Sequence, residues 1–544
     1  MLWGYAGTVS ESPEFRRIEA LPRRLDPPLG VERLTLALRR PGGTQELRPI
    51  QAQALGEIHL LRGLLGLVRV GGGKTLISFL APEMVDAKRP LLLVPAKLRE
   101  KTIFDFAELR EHWGPSVEPK LQSYEKLGRA NWADFLDRYQ PDLIIADEAH
   151  RLKNVRAAVT RRVGRYMTAN PGTIFVALSG TLTRRSIMDF AHIAEWCLGD
   201  GSPVPIQYAD LIEWSGALDE APESRYRPGP LERFGEGPRL EEVREGVQRR
   251  IVETPGVVAT SESPIDASLV ISDWWEDYVP GRAVGTALAD LEEKWETPDG
   301  IPLTSAADVW RNAREISLGF YYRWNPTPPA EWLEARRKWA ALVRSILLRS
   351  RTLDSEAQVA ARHCDRSEYR NWMAVRSMYT PSIETVWIDE TIVERAAKWA
   401  REEGGIVWTD LVAVGKKLDQ LGAPYYGELG KDKNQNIIER ATAGISASIA
   451  ANTEGRNLQH YSKNLVLTPP TTGMAWEQLL GRTHRDGQKA DEVSVEVFFG
   501  CQENVQAFYQ AKSDAKYQQQ ITGSPQKLLE ATILFEKVRP RRKT

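Results

Sequence analysis

"LVRVGGGKTLISFL", Leu67 to Leu80, sets three glycines, a lysine and a threonine between a short β-branched run and an apolar run with helical spacing. Phosphate binding needs backbone N–H groups that approach the ligand with no Cβ in the way, a lysine that reaches the terminal phosphates, and a hydroxyl for Mg2+. Gly71, Gly72, Gly73, Lys74 and Thr75 supply all three. A complete phosphate loop carries one more glycine, five residues before Gly73, and that position is Val68. Alone, the stretch reads equally well as a flexible turn, so a second part of the same site has to decide the fold.

That part is "LIIADEAH", Leu143 to His150, an apolar strand ending in two adjacent carboxylates. Nucleotides bind at the carboxyl ends of parallel strands. There, Asp147 would hold Mg2+ and Glu148 would polarise a water for attack on the γ-phosphate. An acidic pair by itself more often caps a helix. Here a strand comes first, a glycine-lysine-threonine loop lies upstream in a separate βα unit, and His150 follows. The joint pattern points to nucleotide hydrolysis, with ATP as the nucleotide and Mg2+ beside it, and Val68 becomes a tolerated variation.

Working outward, short apolar runs alternate with helical patterns from about 64 to 198: "LLGLVRV", "PLLLVP", "DLIIAD" and "TIFVALSG". A second alternating block from about 385 to 500 contains "ETVWID", "GIVWTD", "APYYGE", "ISASIAAN", "NLVLT" and "VSVEVFF". Such alternation predicts an α/β chain with two doubly wound parallel-sheet lobes and helices on both faces of each sheet. The expected division is an N-terminal extension 1–44, a first lobe 45–200, a mainly helical insertion 201–384, a second lobe 385–510, and a C-terminal helix with a basic tail 511–544. With 544 residues, 42% hydrophobic and 27% charged, the chain has room for about three domains. No apolar run reaches a membrane span and the start lacks the order of a secretory signal, so a soluble, intracellular chain is expected, cytoplasmic or nucleoid-associated. Cys197, Cys364 and Cys501 are too scattered for a disulfide framework or a zinc site. A net charge of −1 excludes blanket adhesion to nucleic acid but leaves a local basic groove open.

These residues resemble the superfamily-two helicases and translocases, whose members often lack the first phosphate-loop glycine. The resemblance covers about 45–200 and 385–500 and implies RecA-like lobes. "QLLGRTHRDGQ", Gln478 to Gln488, resembles that family's arginine motif, with an ending closest to the Swi/Snf-type branch of double-stranded DNA translocases. "LRPIQ" looks like the adenine-recognition segment, with Gln51 as base reader. "LLLVPAKL" and "SYEKL" resemble first-lobe segments that touch a nucleic-acid backbone. "LSGTL" looks like the coupling motif, with Ser179, Gly180 and Thr181. "NTEGRNLQ" resembles the second-lobe motif that links nucleic acid to nucleotide, with Gly455, Asn457 and Gln459. Gln478 joins the nucleotide-binding set. Leu182, where the family more often has proline, and "LTPPTTGMAW" depart from the Swi/Snf pattern, which leaves RNA-directed and restriction-associated motors open.

Phosphoryl transfer builds charge on the transferring group, and a guanidinium brought from another lobe stabilises it by about 4 to 7 kcal/mol. Arg482 and Arg485, three apart, would share one helical face and serve in that role. The resemblance implies a nucleic-acid-stimulated ATPase acting on duplex or branched DNA, with RNA as an alternative. A single chain already carries both halves of the expected site, so a monomeric or weakly associating protein with no membrane partner is expected. A strand-separating helicase is the rival within enzymes. A non-hydrolysing ATP-dependent DNA clamp is the rival of another class. In the insertion, "GFYYRWNPTPPAEW" has a composition suited to base stacking and equally to a small core. Arg249 and Arg250 read as an arginine pair or as a helix end, and "KVRPRRKT", 537–544, as sequence-blind phosphate contacts or a solvated end.

Overall fold

Strands buried on both faces of a parallel sheet consist of unbroken apolar residues, and here their alternate side chains divide between two cores. In a computed structural model of the chain, Leu65, Leu91, Leu93, Ile144, Ala146, Phe175 and Ala177 join one core, while Leu64, Leu92, Val94, Leu143, Ile145, Val176 and Leu178 join another on the opposite face. The structure describes residues 5–24, 30–69, 71–180, 182–183, 185–220, 224–260, 265, 267–294, 296–299, 306–350, 353, 356–380 and 382–535. Two units are present: Met1–Ser263 with Ser513–Gln526, and Pro264–Lys512 with Lys527–Thr544.

The first unit holds a six-stranded sheet in the order Lys120–Ser123, Pro90–Val94, Leu143–Asp147, Ile174–Leu178, Leu64–Leu67, Val257–Ala259, with every pairing parallel. Its register places the chemistry. Leu178 pairs with Asp147 on one side and with Gly66 on the other. The strands that precede the glycine loop, the DEAH carboxylates and the coupling motif therefore end level with one another, as the strand ends of a doubly wound sheet must for a shared site.

Residues outside the expected first lobe complete this unit. Gly7–Thr8 pairs with Tyr226–Arg227, and Phe15 and Ile18 of the helix Pro13–Glu19 are fully buried in the first core. Arg24 forms a buried ion pair with Glu57 at 2.6 Å, and Glu57 also accepts from the Gly256 amide at 2.8 Å. Helices Tyr208–Leu218 and Leu240–Glu253 add Trp214, Val243, Val247 and Ile251 to the same core.

The second unit holds a seven-stranded parallel sheet in the order Tyr425–Tyr426, Ile445–Ser448, Ile406–Thr409, Lys463–Val466, Glu492–Val497, Ser268–Asp273, Thr532–Ile533. Val407 and Leu465 meet Ile392, Ala396, Val414 and Leu418 from its helices. Both units are thus parallel α/β sheets, as the alternating runs predicted. One strand differs from expectation. "ETVWID" supplies Ile383–Trp387, which pairs antiparallel with Phe320–Trp324 and stays outside the large sheet. The Phe320 and Trp387 rings lie 5.0 Å apart and Arg323 meets Glu384 at 3.0 Å, so facing side chains hold that ribbon together.

The stretch expected as one insertion, 201–384, is accordingly divided. Its beginning builds the first unit, Ser268–Asp273 enters the second sheet, and helices Ala330–Arg349, Glu356–Arg362 and Ser367–Val375 form small cores around Trp332 and Trp339. Among the described residues, no helix is long and apolar enough to cross a membrane.

Removing one member of a buried ion pair leaves an uncompensated charge and costs about 3–5 kcal/mol. Glu57→Ala should therefore shift urea unfolding of the full chain, followed by circular dichroism, by about that amount, with Glu57→Gln losing less because it keeps an acceptor for the Gly256 amide.

Candidate functional site

The glycine loop closes onto the helix Lys74–Met84, whose N-cap is Gly73 at φ +79°. A side chain there would have to sit in the left-handed region, and its Cβ would lie 1.9 Å from Gln51 Nε2. Gln51 is buried, and its amide is engaged at both ends: the oxygen accepts from the Arg48 amide at 2.8 Å and the nitrogen donates to the Gly73 carbonyl at 3.4 Å. Arg48 donates to the Gly71 carbonyl at 3.0 Å. Val68 is fully buried, and its Cγ1 lies 2.6 Å from where a Cβ on Gly72 would stand, so the missing loop glycine is balanced by the bare backbone at Gly72. Beside the loop opens a cavity of about 450 Å3, lined by Arg48, Gln51, Gly71, Gly73, Thr75 and Asp105 among others. That volume lies in the range of small-molecule sites.

Lys74 leads from this cavity to the carboxylates. Its Nζ lies 3.1 Å from Glu148 Oε1, with both side chains nearly buried. Glu148 Oε2 lies 3.3 Å from His150 Nδ1, which is also 3.2 Å from Ser179 Oγ. Glu148 occupies the left-handed region at φ 55°, uncommon for a residue with a side chain, at the start of the turn Ala149–Leu152. That turn aims its carboxylate back toward the loop. Burial alone would raise the Glu148 carboxyl, but Lys74 and His150 outweigh it and hold it well below the ordinary range. Burial and the neighbouring Glu148 charge raise Asp147 above its ordinary value. Two adjacent carboxyls thus face one lysine, a donor set short of positive charge. Among the described residues, no group of three or more His, Cys, Asp or Glu is arranged to hold a metal. Thr75 lines the cavity and Asp147 ends the strand Leu143–Asp147, and both are oxygen donors of the kind that a Mg2+ ion would take.

The flanking motifs brace this arrangement. Tyr124 is buried and donates to the Asp147 carbonyl at 2.7 Å. Ser123 accepts from the Lys126 amide at 3.2 Å, and Glu125 accepts from the Ala96 amide at 2.8 Å, which joins "SYEKL" to "LLLVPAKL". Ser179 donates its amide to the Gly66 carbonyl at 2.9 Å. Gly180 lies on the same loop, and Thr181 lies outside the described residues.

In the second unit, Arg482 is buried near the end of helix Gly473–Thr483 and donates to the carbonyls of Gln478 at 2.9 Å and Arg456 at 3.0 Å. The helix stops before Arg485, so the expected shared helical face is replaced by a shared acceptor. Arg485 donates to the same Arg456 carbonyl at 3.2 Å and to Asn457 Oδ1 at 2.6 Å. His484, the C-cap at φ −87° and ψ 86°, turns the chain so that both guanidinium groups reach that carbonyl. Asn457 is exposed, while the Gln478 side chain is buried. Gly455 takes φ +71° within the same segment, and the Gln459 side chain lies close to Gly487.

Several supporting residues have no motif to announce them. The Arg456 side chain meets Glu439 at 3.2 Å, Gln488 donates to the carbonyls of Tyr461 and Thr483, and buried Lys527 lies 3.3 Å from His484 Nδ1. Conversely, the aromatic stretch of the insertion builds cores: Phe320, Tyr321 and Trp332 are buried. Arg250 is buried and donates to the carbonyls of Leu21 and Pro22, and Arg249 pairs with Glu236. The basic tail 537–544 lies outside the described residues.

No family model matches the sequence, and no curated protein matches it. The Sulfolobus solfataricus SWI2/SNF2 ATPase core, solved in complex with dsDNA, is similar at 13% identity over 89% of this chain and 94% of that chain, with a TM-score of 0.32.

Gly73→Ala places a Cβ 1.9 Å from Gln51 Nε2. Titration with a fluorescent ATP analogue should show affinity weakened about tenfold or more, with circular dichroism unchanged.

Proposed function

We propose that this chain is an ATP-dependent nucleic-acid motor, a double-stranded DNA translocase that remodels or branch-migrates DNA. The observation that carries the reading is the contact chain Lys74, Glu148, His150, Ser179, running from the phosphate loop through the acidic strand end to the coupling loop. That chain gives phosphate state a route, through packed and hydrogen-bonded side chains, to the loop assigned to the track.

In this reading Gly71, Gly72 and Gly73 present amides to the phosphates, and Lys74 exchanges its Glu148 contact for the terminal phosphate. Bound Mg2+, held by Thr75 and Asp147, would neutralise charge on the phosphate oxygens. Glu148, released from Lys74, accepts a hydrogen bond from the attacking water and orients it. Gln51 keeps the loop in register and faces the adenine side of the cavity. Arg482 and Arg485 supply charge to the transferring group when the second unit closes, and their common hold on the Arg456 carbonyl ties them to Asn457. Ser179, Gly180 and Thr181 in the first unit, and Gly455, Asn457 and Gln459 in the second, serve the nucleic acid.

The deciding measurement is ATP turnover with no polymer, duplex DNA, single-stranded DNA and RNA. Duplex should give the largest stimulation; if no polymer raises the rate, the motor reading fails. Arg485→Ala should retain ATP affinity and lose about 10³-fold in kcat, whereas Lys74→Ala should weaken both. Unaltered turnover in the arginine variant would remove its assigned role.

A further inference from the structure

The Gly180 carbonyl accepts a 2.9 Å hydrogen bond from the side-chain amide of Gln518, 338 positions further along the chain. Gln518 lies on the helix Gln502–Thr522 and is 1% exposed. Residues Ser513–Gln526 belong to the first unit, although the helix begins in the second. Each turn around Gln518 is fixed to the first unit. Asp514 meets Arg185 at 2.5 Å, Tyr517 donates to Asp219 at 2.7 Å, and Asp219 accepts from the Ile187 amide at 3.1 Å. Gln518 is thus held in place by its neighbours and has no need of Gly180 to stay there.

Three tethers hold the coupling loop among the described residues. The Ser179 amide bonds to Gly66 on the strand that leads to the phosphate loop, Ser179 Oγ meets His150, and the Gly180 carbonyl meets Gln518. Gly180 also packs on the phosphate-loop side: a Cβ there would lie 3.1 Å from the Val68 carbonyl oxygen and from Arg69 Cα. Two tethers join the loop to the nucleotide site and the third joins it to the C-terminal helix. A buried carbonyl that loses its donor is left unsatisfied, so the third tether resists displacement of the loop.

We propose that Gln518 is a positioning residue, which holds the Gly180 carbonyl and so makes the coupling loop and the helix segment 513–526 respond together to the nucleotide. The inference rests on the motor reading for its consequence, since the same link would tie the coupling loop to the helix Gln502–Thr522 during turnover. It does not rest on that reading for its first test.

Amide hydrogen exchange on the full chain, with and without a slowly hydrolysed ATP analogue, should show altered exchange in peptides covering 176–183 and 513–526. In Gln518→Leu the response at 176–183 should persist and that at 513–526 should disappear, with analogue affinity within about twofold of the parent. Gln518→His, which keeps a donor at similar reach, should restore it. In turnover, Gln518→Leu should lower the duplex-stimulated kcat about tenfold while leaving the half-saturating duplex concentration unchanged. Absence of any nucleotide response at 513–526 in the parent chain overturns the proposal, as does a Gln518→Leu variant that retains the response. A persistent exchange link in a chain that no polymer stimulates sinks the motor reading and leaves the Gln518 link standing.

Discussion

The Glu148 carboxylate is the point on which the first unit's chemistry turns. It is nearly buried, its residue is bent into a backbone region that side chains avoid, and its two oxygens face a lysine and a histidine from different segments. Such a group persists only where its surroundings over-determine it. The level ending of three parallel strands provides that restraint, because it delivers the loop, the acidic turn and Ser179 to one place before any side chain is considered. Tyr124 closes the arrangement from behind through the Asp147 carbonyl.

The second unit solves a different problem with a main-chain oxygen. Two guanidinium groups converge on the Arg456 carbonyl, and neighbouring Asn457 takes a further bond from one of them. The direction of that carbonyl is set by the backbone, so both arginine side chains are drawn to one fixed point. Arg456 itself is held by Glu439, which anchors the acceptor.

What could be read in advance follows a physical divide. "GGGKT" and "DEAH" are legible because their chemistry requires particular side chains, or none, at consecutive positions of a strand-to-helix turn. Both parallel sheets are likewise legible from apolar runs. "ETVWID" is not assigned correctly because alternation marks a strand without naming its partner; Arg323 and Glu384 choose it. The geometry of Arg485 escapes helical spacing because the helix ends two residues earlier. Gln518, Lys527 and Glu57 escape altogether. Each acts on main-chain groups or on residues far along the chain, and a backbone carbonyl or amide has no signature, since every residue offers one.

The first unit takes its last residues, Ser513–Gln526, from beyond the segment Pro264–Lys512 of the second unit. During synthesis on the ribosome, the glycine loop and its sheet emerge hundreds of residues before Tyr517 reaches Asp219. A nascent first half is therefore an open body, its side facing that helix uncovered until translation is nearly finished. Order of assembly thus makes completion of the half with the glycine loop contingent on most of the other half being made.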